Sequence, residues 1–144
     1  MFTSETEKYE VVIGIENDIT VSRMIEREIE KMIKSWQKHA KEYFDKTGIY
    51  VSAIVNEGRA IYNEDWGCPD GGERTLTFNC TRNPKFIEDD NMYRMGIYYI
   101  TSNLKKEFKQ HTITITKMNA EIDYITDDDN ENIETIIKTY KEEK

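Results

Sequence analysis

The stretch Ile49–Asn63, IYVSAIVNEGRAIYN, decides how many strands this chain gives to its sheet. Ile49–Asn56 is largely apolar and β-branched, the composition of a strand. Asn56-Glu57-Gly58 then offers a turn with a glycine free to adopt positive φ, so Arg59–Asn63 is expected to return as the second arm of a hairpin. The C-terminal half repeats the pattern. His111–Met118 alternates, Asn119-Ala120 turns, and Glu121–Thr126 completes a second hairpin.

Each expected hairpin is preceded by a strand and a helix. Tyr9–Glu16 is a short β-branched run, followed by Asn17, Asp18 and Thr20 as helix caps. From Val21 to about Lys46 apolar residues recur at helical spacing (Ile25, Ile29, Met32, Trp36, Ala40, Tyr43), until Gly48 ends the run. Arg74–Thr81 alternates as a strand and stops at Arg82-Asn83-Pro84. Glu88–Asn91 opens a second helix with acids at its positive end and Tyr93, Ile97, Ile100, Leu104 and Phe108 on its apolar face. The expected fold is α+β: two tandem βαββ halves forming a mainly antiparallel sheet with two helices on one face. Residues 1–126 make this single domain. Residues 127–144 read as an acidic linker, DDDNEN, and a short amphipathic segment with Ile133, Ile136, Ile137 and Tyr140 on one helical face. That C-terminal helix either docks on the domain or a neighbouring subunit, or frays.

The net charge of −8 over 144 residues argues against binding polymeric nucleic acid, whose affinity comes from Lys and Arg on phosphates. No apolar run is long enough to span a membrane, and the polar N-terminal stretch MFTSETEKYE carries no secretory signal. Cys68 and Cys80 lack metal-site spacing and are read as reduced thiols in a cytoplasm. His39 is expected at a helix surface or boundary, His111 at a helix C-terminus, and Cys80 in the core. Glu64 and Asp65 are a candidate acid–base pair, although turn capping is the commoner use of such residues. No metal or cofactor is expected.

Binding chemistry is better supplied than catalytic chemistry. Four of the six arginines, Arg59, Arg74, Arg82 and Arg94, fall between the first hairpin and the second helix. Tyr62, Trp66, Phe78, Asn79, Asn83, Phe86 and Tyr93 are interleaved with them. Cations, stacking surfaces and amides together suit a nucleotide-like ligand. Three glycines in the loop Tyr62–Glu73, YNEDWGCPDGGE, make that loop a shaped wall rather than a plain connector.

Trp66-Gly67-Cys68-Pro69, Gly71-Gly72-Glu73 and Thr81-Arg82-Asn83-Pro84-Lys85-Phe86 resemble the phage Thoeris anti-defence sponge family of the first type. The resemblance implies a protein that is not an enzyme. It would sequester glycocyclic ADP-ribose in the cytoplasm of the infected bacterial host, with cyclic di- or trinucleotides as further ligands at a second site. It also implies a homodimer or a hexamer built from dimers. By this resemblance Arg59 holds phosphate and Phe86 stacks, helped by Trp66, Arg82, Asn83 and Tyr93. Two alternatives stand beside it. One is a small oligomeric enzyme of tautomerase or lyase type, although Phe2 occupies the position where proline-dependent tautomerases need proline. The other is a scaffold that binds a phage or host protein.

Overall fold

The computed structural model describes residues 2–15 and 22–144. β1 (Phe2–Gly14) leads to α1 (Ser22–Thr47), β2 (Ile54–Ala60) and β3 (Glu73–Thr81); α2 (Asp90–Glu107), β4 (Thr114–Tyr124) and α3 (Asp127–Glu143) follow. The strands form one antiparallel sheet in the order β2-β3-β1-β4. α1 and α2 each connect two strands that flank a third, which is the split βαβ arrangement of ferredoxin-like folds. The expected α+β class is therefore present, with its antiparallel sheet and a C-terminal helix. The expected caps Asn17, Asp18 and Thr20, and the helix start at Val21, lie outside the described residues.

Strand alternation sets the core. Tyr9, Val11 and Ile13 of β1 and Leu76, Phe78 and Cys80 of β3 are buried against Met32, Trp36 and Ala40 of α1 and Tyr93, Ile97, Ile100 and Leu104 of α2. Both helices thus cover one sheet face. The Trp36 indole stacks on Phe78 with centroids 4.4 Å apart and planes 9° apart, and its N–H donates to Val51 O at 3.2 Å. The helices approach closely at Gly96, where a Cβ would lie 2.8 Å from both Tyr43 and Val51. On the opposite sheet face Thr114 and Thr116 are exposed, while Ile113 and Ile115 pack on the core.

Both expected hairpins are single strands. Asn56, Glu57 and Gly58 lie inside β2, paired with Thr77, Leu76 and Thr75. Gly58 is not at positive φ, so its freedom to turn is unused. Asn119 and Ala120 likewise lie inside β4, paired with Glu7 and Thr6. In β4 the cause is the length of β1. Its polar first half, which carries no apolar signal, continues past the end of β3 and gives residues 119–124 a ready partner. A continuous ladder there satisfies more backbone than a weak Asn-Ala turn would. The acidic run Asp127–Asn132 is helix rather than linker, and Thr126 and Asp129 form a capping box at its start.

The β3–α2 corner is held by a buried ion pair. Arg82 Nε lies 2.7 Å from Glu7 Oε2 and its Nη2 3.1 Å from Oε1, while Nη1 donates to Ile87 O at 2.8 Å. The two side chains are only 9% and 14% exposed. Replacing Arg82 with Ala strands the Glu7 charge, and urea unfolding should show a loss of about 3 kcal/mol. Burial pushes the Cys80 thiol up to about 12. A disulfide reagent at neutral pH should therefore label Cys68 alone in the folded protein, and Cys80 only after unfolding.

Candidate functional site

At one end of the sheet the last residue of β1, the first residue of β3 and the C-terminus of α2 converge. They enclose a cleft of about 370 Å³ lined by Gly14, Ile15, Glu73, Glu28 and Met32 of α1, and the segment Glu107–His111. That volume lies in the range of small-molecule sites.

Local sequence explains the walls. α2 ends in a Schellman turn: Gln110 N–H donates to Lys105 O at 3.0 Å, Lys109 N–H donates to Lys106 O at 3.4 Å, and Lys109 sits at φ 51. Among the described residues Lys109 is the one non-glycine at positive φ, so this turn is held against a local conformational cost. Gln110 Nε2 then donates to Gly14 O at 3.0 Å and ties the helix end to the strand end. Glu107 accepts from the Ser35 hydroxyl, and its Oε2 lies 3.3 Å from His39 Nε2. The Ser35 hydrogen bond, with His39 beside it, holds the Glu107 carboxyl below the usual carboxylate range. His39 is buried, with Nδ1 2.9 Å from Glu42 Oε2, and pins α1 to α2.

Glu73 is the carboxylate nearest the strand ends. Its Oε2 accepts from the Tyr62 hydroxyl at 3.4 Å. A Cβ on Gly14 would fall 2.5 Å from Glu73 Oε1, so the carboxylate occupies space that only glycine leaves open. Desolvation, Glu73 and Cys68 raise the Tyr62 hydroxyl above its ordinary value, so it stays protonated and serves as a donor.

The connection between Tyr62 and Glu73 is strongly shaped. Asn63 caps a 3-10 turn over Glu64–Trp66, and Gly67, at φ 97, closes it. Gly71 and Gly72 are also at positive φ, and a Cβ on Gly72 would lie 2.9 Å from Ala60 O. Arg59 Nη1 donates to Gly71 O at 3.1 Å, and Tyr62 N–H points at Cys68 Sγ at 3.5 Å. Glu64 and Asp65 are exposed within the 3-10 turn.

The expected ligand residues do not meet in one pocket. Arg59 and Trp66 belong to the β2–β3 end, where Arg59 is tied to the loop and Trp66 is 78% exposed. Arg82, Asn83, Phe86 and Tyr93 belong to the other end of β3, roughly 26 Å away at the rise of a strand. Arg82 is paired with Glu7. Asn83 accepts from the Tyr124 hydroxyl, Phe86 lies exposed beneath Lys85, and Tyr93 is a buried core ring against Tyr9. Sequence reasoning named neither Gly14 nor Glu107, and met Glu73 only inside a motif. The legible signal was Tyr62 and Glu73 at the two mouths of a glycine-rich loop joining neighbouring strands.

The cleft is electronegative. Glu28, Glu73 and Glu107 face it, against Lys109 as the cation. A pyrophosphate would meet like charge there, whereas a cationic ligand would be drawn in. No helix among the described residues is long and apolar enough to cross a membrane.

Among solved structures, the chain is similar to a phage SAM lyase in its apo state, at 11% identity and TM-score 0.51, over 85% of this chain and 92% of that one. It also matches a phage SAM lyase in complex with S-methyl-5'-thioadenosine (11% identity, TM-score 0.46, 83% and 90% covered) and a PII-like signalling protein from Thermus thermophilus (9%, 0.40, 85% and 92%). At such identities the likeness is one of fold. No curated protein matches the sequence. A family model described as SAM lyase matches residues 4–126, which is the whole sheet-and-helix domain up to the start of α3.

That match corrects the sponge reading. The family is one of enzymes, so the expectation of a non-catalytic protein falls. Glycocyclic ADP-ribose and cyclic di- or trinucleotides fall with it as ligands, and so does the Thoeris assignment. The physical reason is visible in the cleft, whose charge is opposite to what an anionic nucleotide needs. What remains is coarser: a likeness of fold to a phage SAM lyase. With a model that covers the domain from end to end, the chain belongs to the SAM lyase family.

Proposed function

We propose that this chain cleaves S-adenosylmethionine without hydrolysis, in the cleft that Glu73 lines. The observation that carries the reading is the acidic lining, Glu28, Glu73 and Glu107, at the end of the sheet. The substrate carries a sulfonium and an ammonium against one carboxylate, so it enters as a net cation along a favourable field.

The chemistry constrains what each carboxylate does. When the bond from sulfur to the amino-acid Cγ breaks, the electron pair goes to sulfur and the sulfonium becomes the neutral thioether S-methyl-5'-thioadenosine. A carboxylate pressed against the sulfonium would stabilise the ground state more than the transition state, which slows the step. Glu73 is better used on the ammonium, whose charge does not change during the reaction. The Tyr62 hydroxyl, kept protonated, orients the Glu73 carboxylate by donating to it. Cγ is then taken by the substrate's own carboxylate oxygen, giving a lactone, a closure that needs neither water nor an external base. Opposite charges within the substrate collapse in this step, so the water-poor wall of Ile15, Met32 and Phe108 favours it. Arg59 serves as a support of the loop that carries Tyr62.

Loss of S-adenosylmethionine would deprive methyl-transferring enzymes of their donor, and an anti-defence role in the host cytoplasm rests on that consequence. Homo-oligomeric assembly is part of the proposal, supported by the exposed Ile54, Ile61 and Trp66 around the β2 edge.

Incubation of the purified protein with S-adenosylmethionine, followed by chromatography, should show S-methyl-5'-thioadenosine and a lactone in equal amounts. Unchanged substrate sinks the proposal, and vinylglycine in place of the lactone would move Glu73 from holding the ammonium to taking a proton. Glu73→Gln should lower kcat/KM about a hundredfold with the fold intact. Tyr62→Phe should cost about tenfold, the loss of one orienting hydrogen bond to a charged group. Gly14→Ala, which places a methyl against Glu73 Oε1, should reduce kcat while circular dichroism stays native.

A further inference from the structure

α3 stands apart from everything described so far. The family match ends at residue 126, and α3 begins at Asp127. Its Ile136, Ile137 and Tyr140 are 57%, 60% and 62% exposed. Together with Ile133 they form a stripe at 3- and 4-residue spacing, Ile133-Ile137-Tyr140, flanked by Ile136. A 17-residue helix with an uncovered apolar stripe is marginal by itself in water, and a partner along that stripe would stabilise it.

We propose that the stripe is covered by α3 of a second copy of this chain, packed antiparallel. Charge fixes the direction. Asp127–Glu134 holds Asp127, Asp128, Asp129, Glu131 and Glu134, five acids and no base. Lys138–Lys144 holds Lys138, Lys141 and Lys144 against Glu142 and Glu143. Parallel packing would set two strongly acidic halves side by side, and antiparallel packing sets each acidic half against the lysine-bearing one. The two helix dipoles also oppose in the antiparallel pair. The 3–4 spacing is that of a seam in which the side chains of one helix enter the spaces of the other. Near the middle of the helix, Ile136 and Ile137 meet their mates around a two-fold axis, so a single stripe completes itself. The pairing is independent of the reaction proposed above.

The test uses the full chain carrying Cys68→Ser, with Asn130→Cys and Lys144→Cys made as separate variants and a short thiol cross-linker. Antiparallel pairing centred on Ile137 brings residue 130 of one copy beside residue 144 of the other, so cross-linked dimer should form when the two variants are mixed and not in either alone. Cross-linking of each variant with itself would overturn the antiparallel arrangement. Absence of dimer in every combination would overturn the pairing and leave α3 covered by another surface. Ile137→Glu in the otherwise unaltered chain should lower the mass in light scattering about twofold at equal concentration. An unchanged mass would likewise count against it.

Discussion

β1 is the strand on which the fold and the site both depend. It is paired on both sides over Lys8–Val12, with β3 on one edge and β4 on the other. Its inward residues Tyr9, Val11 and Ile13 form the floor under both helices. Because side chains alternate, a slip of one residue would expose that floor and bury Lys8 and Glu10, so the register is fixed by the largest cost available. The same register fixes the cleft. It stops β1 at Gly14 beside the start of β3, where the missing Cβ is the space that Glu73 occupies. The register that sets the core therefore also sets where Gly14 and Glu73 meet.

How much of this was legible depended on which signals were local. The helices were readable because Met32, Trp36 and Ala40, and Ile97, Ile100 and Leu104, repeat at the helical period and meet in one core. The strands Tyr9–Ile13 and Leu76–Cys80 were readable for the same reason at period two. The hairpins were misread because Asn56-Glu57-Gly58 and Asn119-Ala120 are turn residues only when no strand lies alongside. Here Thr75–Thr77 and Thr6–Glu7 lie alongside, and pairing decides the outcome. No window of the sequence contains both partners.

The site was harder to read for a related reason. Arginine and aromatic residues attract attention, and those clustered between residues 59 and 94 suggested an anion site. In three dimensions the cations are already engaged: Arg82 with Glu7, Arg74 beside Glu57, and Arg59 with its own loop. The carboxylates that face the cleft come from α1, β3 and the end of α2, positions 28, 73 and 107, and nothing in their spacing announces a meeting. The arginines that cluster along the chain and the carboxylates that gather around the cavity are of opposite sign.

The loop between β2 and β3 bears on thermodynamics as well as on shape. It is fastened by the Asn63 cap, by three glycines in left-handed conformations and by the bond from Arg59 to Gly71. Loops beside binding sites commonly lose conformational entropy when a ligand arrives. In this loop the freedom is already lost when the chain folds, with Tyr62 set against Glu73 before any ligand enters. Ligand binding at this end of the sheet should then carry a small ordering entropy, and association should be governed by electrostatic encounter rather than by closure of a lid.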